Sequence, residues 1–316
     1  MSRVNLIRMN NNGVSFTKFH GLGNDFVIMG PEEIKDLMLT EEKVKKICDR
    51  NFGVGADGVL LVSEEGKLSN SHQPGYYLTI YNSDGSRAEM CGNGVRCITH
   101  YLRDRDLIKD RVVLKTGAGI IRPELIDYLP AESKAVVKVN MGVPRFSPED
   151  LPVRGEYLRK NSEQFIHDEK NRLFKAKYDF IEEGEFAGFT ANFVSMGNPH
   201  VIFFLENSPE YIPLEDWGPR IENHDLFPEN TNVEFARIVN EEKIEVRVWE
   251  RGSGITLACG TGAAAVGAAA INNGYCAEEI EIELPGGTLV VEYSGEDINI
   301  LGPSRRVFRG ILEMNL

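Results

Sequence analysis

The sequence predicts an α/β (α+β) protein of two pseudo-symmetric halves, each a mainly antiparallel sheet wrapped around a central helix. Three observations lead there. The string Cys91-Gly92-Asn93-Gly94 returns as Cys259-Gly260-Thr261-Gly262, 168 positions later, each time ahead of an apolar segment. Short β-patterned segments outnumber helical ones around both strings. The segment after Cys259 runs Ala263, Ala264, Ala265, Val266, Ala268, Ala269, Ala270, small on every face, as a helix enclosed by close-packed backbone requires.

Composition sets the frame for this reading. With 316 residues, 42% of them hydrophobic, the chain can fill about two domains of roughly 100–200 residues each. Its net charge of −13 offers no phosphate-neutralising surface, so neither nucleic acid nor an anionic membrane is an expected partner. Five cysteines without a disulfide-framework spacing suit a reducing cytoplasm and leave thiols free for chemistry. The amino terminus, MSRVNLIRMNNNG, lacks the apolar run of a secretory signal and is expected to fray. The uncharged stretch Ile255 to Ile271 is mostly Ala and Gly and falls short of the ~20 strongly apolar residues of a membrane span.

Taken in order, the elements repeat one plan. Gly23-Asn24-Asp25-Phe26-Val27-Ile28 has a counterpart in Gly197-Asn198-Pro199-His200-Val201-Ile202. Glu32 to Asn51 reads as one helix, with Ile34, Leu37, Met38, Val44 and Ile47 near helical spacing. Tyr76 to Tyr81, Ala135 to Val139, Glu245 to Trp249 and Glu279 to Leu284 read as strands. Thr116-Gly117 is echoed by Pro285-Gly286-Gly287, and Val139-Asn140-Met141-Gly142 by Asn299-Ile300-Leu301-Gly302. Met141 to Pro152, with three prolines, is a candidate linker, and Arg154 to Lys177 a surface insertion without a role. Val307 to Leu316 is expected to add a strand returning to the first half.

A cysteine at a helix start feels unsatisfied backbone amides and the helix dipole, both of which favour its thiolate. If the halves face each other, Cys91 and Cys259 stand on opposite walls of one cleft. One thiolate can then remove a proton from a carbon while the opposite thiol delivers one to the other face. A single cysteine before a helix is more often a buried apolar residue, but two at matched repeat positions point to paired chemistry. Cys48, Cys97 and Cys276 carry no motif and are read as structural. No metal is expected, because Cys97 and His100 have no second pair at ligand spacing. Phosphate-loop, dinucleotide and thioredoxin-like patterns are missing, and a Cys-His hydrolase using His200 would leave the second thiol unexplained.

The strings FTKFHGLGNDFVIM, NSDGSRAEMCGNGVRC, SMGNPHVIFF, NTNVEF, ERGSGITLACGTGAAA and LPGG together closely resemble the diaminopimelate epimerase family, from Phe16 to Leu316 apart from the insertion. The resemblance implies cofactor-independent interconversion of LL- and meso-2,6-diaminopimelate, for lysine and cell-wall peptide, by a homodimer. It implies that the final strand joins the first half, so that residues 1–140 plus 303–316 carry Cys91 and residues 141–302 carry Cys259. Cys91 and Cys259 match the proton-transfer pair. Gly92, Asn93, Gly260 and Thr261 match residues whose amides hold the reacting carboxylate. Asn24, Asn82, Asn198, Asn232, Glu250 and Arg251 match the polar ligands of the substrate, and His200 and Glu250 match positions that tune the thiols. Carboxamides and a carboxylate suit two ammonium groups, and an arginine suits a planar carboxylate.

Two departures stand out. Gly58 occupies a position where some members carry a glutamine, and Arg154 to Lys177 exceeds the family pattern. The alternatives are a related two-thiol racemase acting on proline or hydroxyproline, a phenazine-pathway isomerase with the cysteines replaced, and a redox-sensing binding protein whose two thiols join reversibly. Glu250-Arg251 and the asparagine set favour a long, doubly zwitterionic substrate over a ring.

Overall fold

A computed structural model of the chain describes residues 13–34, 39–66, 75–177 and 189–313. Its first strands are β1 (Gly13–Gly21), β2 (Asn24–Met29), β3 (Gly58–Gly66), β4 (Gly75–Asn82) and β5 (Arg87–Ala88), followed by helix α3 (Gly92–Asp104). Two short helices, α1 (Pro31–Ile34) and α2 (Glu41–Cys48), lie between β2 and β3. The strands β6 (Val113–Thr116), β7 (Gly119–Ile121), β8 (Glu124–Leu129) and β9 (Lys134–Asn140) complete this part. Then come α4 (Gly155–Lys160), β10 (Phe165–Asp168), β11 (Leu173–Lys177), β12 (Thr190–Ser195), β13 (Pro199–Leu205), α5 (Leu214–Glu222) and β14 (Asn232–Asn240). The chain closes with β15 (Lys243–Glu250), β16 (Gly254–Thr256), helix α6 (Gly260–Asn272), β17 (Glu279–Leu284), β18 (Gly287–Tyr293) and β19 (Ile298–Glu313).

Strand pairing repeats as the sequence does. Antiparallel β1–β2 and parallel β2–β3 correspond to β12–β13 and β13–β14. Antiparallel β3–β4 and parallel β4–β6 correspond to β14–β15 and β15–β17, and antiparallel β6–β7 corresponds to β17–β18. The turns entering β2 and β13 use Gly23 at φ +89° and Gly197 at φ +92°, left-handed conformations that favour glycine. All four strands predicted from sequence are present, as β4, β9, β15 and β17.

Strand β19 joins the two parts. Its first residues pair with β18 up to Leu301, its middle with β9 from Asn299 to Arg305, and its end with β1 from Arg305 to Glu313. The returning strand therefore exists and begins earlier than Val307. Residues 314–316, and the amino-terminal residues 1–12 expected to fray, lie outside the described residues.

One apolar core contains both central helices. Val95, Ile98 and Leu102 of α3 and Ala263 to Ala270 of α6 pack with Ile28, Leu60, Val139, Ile202, Val248, Ile282 and Ile300 from the sheet. The alanines of α6 are buried on every side, and the approach is close enough that a Cβ on Gly267 would stand 2.6 Å from Val291 Cγ1. That proximity requires the small-residue composition.

Two expectations need correction. The single helix over Glu32 to Asn51 is instead two pieces: Thr40, with φ −100° and ψ 162°, is extended and starts α2 afresh, its hydroxyl accepting from Lys43 N at 3.4 Å. Asp49 ends α2 by accepting from the amides of Asn51 and Phe52, and Leu37 and Met38 lie outside the described residues. The insertion at Arg154 to Lys177 is not merely surface. Its strand β11 pairs with β12, and Phe174 and Ala176 are buried in a second apolar core with Phe193, Trp217 and Phe227. Asn272, at the end of α6, donates to Arg172 O at 3.0 Å, so the insertion also grips that helix.

Candidate active site

Each motif cysteine caps a helix. Cys91 is extended (φ −149°, ψ 109°) and its Sγ accepts from Gly94 N at 3.4 Å at the start of α3. Cys259 is extended (φ −115°, ψ 116°) and its Sγ accepts from Gly262 N at 3.3 Å at the start of α6. A cysteine thus takes the role usually filled by Ser, Asp or Asn.

The two helix starts meet on one side chain. A Cβ on Gly92 would stand 3.7 Å from Ile300 Cδ1, and one on Gly260 would stand 3.3 Å from the same methyl. Ile300 lies on β19, where the two parts join. Asn93 completes the junction by donating its Nδ2 to Asn24 Oδ1 at 3.1 Å and to the carbonyl of Ala258 at 3.3 Å.

Around Cys91, Asn24 is the central polar group. Its Oδ1 lies 3.9 Å from Cys91 Sγ, and its Nδ2 donates to Asp57 Oδ2 at 2.9 Å. Asp57 is held by Arg50 and by the amide of Asp25, so the carboxamide of Asn24 has a settled orientation. Asn82 ends β4 opposite Gly58, exposed, with its Nδ2 on Ser86 Oγ at 2.9 Å; its hydrogen bonds run to that turn rather than to a thiol. Gly58 has a packing reason: a Cβ there would collide with the carbonyl of Tyr81.

Around Cys259 the site is richer in ionisable groups. Thr261 Oγ1 lies 3.4 Å from Cys259 Sγ and accepts from Asn198 Nδ2 at 3.4 Å. Asn198 Oδ1 in turn contacts His200 Nε2 at 3.2 Å, and His200 Nδ1 stands 2.7 Å from Glu234 Oε1. His200 and Glu234 are both wholly buried, so this contact is sealed from solvent. Glu250 accepts from Thr256 Oγ1 at 2.5 Å, and the Cys259 thiol reaches the same carboxyl. Asn232 donates to Pro199 O and accepts from Arg251 N at 3.0 Å, and the Arg251 guanidinium donates to Glu229 O. Glu222 braces this corner by accepting from Trp249 Nε1 at 2.6 Å and Gly252 N at 2.9 Å.

Burial pushes up the pKa of Cys91, against the opposing effects of the Gly94 amide and Arg96. It pushes Cys259 further, well above the ordinary thiol value, and there the charges of Glu250 and Glu234 add to burial. Burial also raises the carboxyls of Glu250 and Glu234. Four groups shifted upward by burial thus gather around the two helix starts. Sequence reasoning passed over Glu234 and Arg96. The available signal was a Glu in the apolar run Val233 to Ala236 and an Arg on the buried face of α3.

No helix among the described residues is long and apolar enough to cross a membrane. No group of three or more His, Cys, Asp or Glu among them forms a candidate metal site.

The family model for diaminopimelate epimerase matches residues 16–147 and 192–307, leaving out the insertion. The diaminopimelate epimerase of Halothermothrix orenii is 42% identical over 298 residues, covering 94% of this chain and 97% of that protein. That of Carboxydothermus hydrogenoformans is 42% identical over 303 residues, covering 94% and 98%. Among solved structures, a Bacillus anthracis phenazine biosynthesis protein of the PhzF family superposes with a TM-score of 0.59 at 18% identity, over 96% of this chain and 99% of that one. A hydroxyproline epimerase from Agrobacterium vitis superposes with a TM-score of 0.59 at 12% identity, over 97% and 94%. At those identities the structures speak to the shared fold alone. The sequence matches go further: the chain belongs to the diaminopimelate epimerase family and is an isomerase, an amino-acid epimerase.

Proposed function

We propose that the chain converts LL-2,6-diaminopimelate to meso-2,6-diaminopimelate by a cofactor-independent two-base mechanism, supplying lysine and peptidoglycan precursors. The observation that carries this is the pair of thiols, each capping a helix whose first glycine abuts the methyl of Ile300. One thiolate takes the α-proton, leaving a planar carbanion, and the opposite thiol gives its own proton to the other face. The thiol and thiolate have then exchanged roles, and no atom other than hydrogen has moved.

The carbanion's charge spreads into the adjacent carboxylate. The amides of Gly92 and Asn93 in α3, and of Gly260 and Thr261 in α6, lie in first turns, where no intrahelical carbonyl is available. They suit that carboxylate as donors, and the two helix dipoles act in the same sense. Asn24, Asn82, Asn198, Asn232, Glu250 and Arg251 serve the remaining ammonium and carboxylate groups. Glu250 tunes Cys259 through the contact of carboxyl and thiol, and His200 acts through Asn198 and Thr261.

We take the two catalytic halves to be residues 1–140 with 303–316 and residues 141–302, in keeping with the passage of β19 from β18 to β1. The same reading carries a homodimer in a reducing cytoplasm, testable by sedimentation and fractionation.

Proton NMR of LL-diaminopimelate in D₂O, with protein and reductant and no pyridoxal phosphate, tests the proposal. Deuterium should enter the α-carbon as meso product forms, and Cys91→Ala or Cys259→Ala should abolish epimerisation. Absence of exchange in the reduced wild type would overturn the substrate assignment.

A further inference from the structure

Arg96 lies five residues after Cys91 on α3 and is wholly buried. A buried guanidinium is ordinarily neutralised by a carboxylate, because removing its charge from water is costly. Here Nη2 donates to Asn93 Oδ1 at 2.6 Å and Nε to Pro303 O at 3.4 Å, while Nη1 has no hydrogen-bond partner among the described residues. None of the ion pairs among the described residues involves it. The group is also locked in place. A Cβ on Gly302 would stand 3.0 Å from Nε, and one on Gly21 would stand 3.2 Å from Nη2, so β19 and β1 close on it from two sides.

The acidic groups that feel this cation are Cys97 and Cys91. Burial pushes the Cys97 thiol up to about 12, so it stays protonated at neutral pH. Cys91 is partly exposed and already accepts the Gly94 amide; the opposing charge it faces is Glu250. Cys259 faces two carboxyls instead, Glu250 and Glu234, with His200 between Glu234 and Asn198. Glu250 therefore acts on both thiols, while the unneutralised cation Arg96 acts on Cys91 and the second carboxyl, Glu234, on Cys259.

We propose that Arg96 is a positioning residue that aims the Asn93 amide at Asn24 and Ala258, and whose unpaired charge keeps Cys91 the more acidic of the two thiols. This deepens the two-thiol reading above and rests on it. Because Asn93 Oδ1 is taken by Arg96, its Nδ2 is turned toward Asn24 and Ala258. A stereoisomer whose α-hydrogen faces Cys91 then meets the more acidic thiol, with Cys259 as the proton donor.

The test reads thiol ionisation without diaminopimelate, so it stands apart from the substrate assignment. Iodoacetamide labelling of Cys91 and Cys259 is followed by peptide mass spectrometry across pH. In the wild type, the inflexion for Cys91 should fall at lower pH than that for Cys259. Arg96→Met should raise the Cys91 inflexion by at least about one pH unit, roughly tenfold slower labelling at a given pH below it, and leave Cys259 unmoved. Arg96→Lys, which keeps the charge, should hold the Cys91 inflexion near that of the wild type. A purely structural role would lower the melting temperature without shifting one thiol against the other. Cys259 ionising first in the wild type would overturn the proposal, as would a cooperatively melting Arg96→Met with an unchanged Cys91 profile. Should Arg96→Met not fold, the wild-type order and the Arg96→Lys profile decide.

Discussion

Asn93 on α3 donates to the carbonyl of Ala258, the residue before Cys259, at 3.3 Å, so a carboxamide two residues from one helix cap holds the approach to the other. The same Nδ2 reaches Asn24, and Asn24 reaches Cys91. Asn93→Ala removes this tie while leaving both cysteines and both caps in place. Small misplacements of reacting groups carry large rate penalties, so kcat should fall on the order of 10²-fold, and the melting temperature should fall as well because buried Arg96 loses the acceptor of its Nη2. Steady-state epimerisation beside a thermal melt measures both; equal kcat in the two proteins would refute the role.

Asp25 gives the chain an acid-sensitive joint beside the site. It accepts from Lys18 at 2.7 Å and from both guanidinium nitrogens of Arg50. Burial works to raise its pKa, yet the bonds from Arg50 and Lys18 prevail and bring it from 3.8 to about 2. The unfolded chain therefore binds this proton more readily than the folded one. The resulting stability is present above the unfolded value and lost as pH falls through about 2. Asp25→Asn should melt below the wild type at neutral pH, with the gap closing as pH falls from about 4 toward about 2. A gap independent of pH in thermal melts across that range would exclude the linkage.

Phe174 tests the insertion. It is buried, with its ring centroid 4.9 Å from that of Phe193, and it lies in the segment the family model leaves unmatched. Phe174→Ala should cost roughly 3–5 kcal/mol of stability, the usual range for emptying a buried phenylalanine site. Because the second core is separate from the one around α3 and α6, KM per folded molecule should stay unchanged. Chemical denaturation and kinetics on the same preparation check the pair of outcomes; a large KM change would mean that the insertion reaches the site.

How much of this was legible in the sequence follows from the range of each signal. The repeat and both caps were readable because they rest on local chemistry: a small residue where φ is positive, and a side chain that accepts from the amide three positions on. The all-alanine face of α6 announced its enclosure for the same reason. The break at Thr40 was missed because apolar spacing continues across it while the backbone does not. The insertion was misread because weak patterning hid residues buried by a distant partner, Phe193. Arg96 and Glu234 were missed because their interest lies in tertiary surroundings, a cation without a carboxylate and a carboxyl with one oxygen unpartnered. Gly58 looked like a lost ligand and is instead a close approach to the backbone of β4.

Strand β19 also sets a timetable. Gly13 pairs with Glu313, three hundred residues further along the chain. During translation at about 5–20 residues per second, the early strand waits roughly 15–60 s before its partner leaves the ribosome. Through that interval one edge of β1 is bare and open to any other extended chain nearby. The first strand among the described residues is thus among the last to be covered, and the nascent first half is the stage at which crowding on the polysome threatens the yield of enzyme.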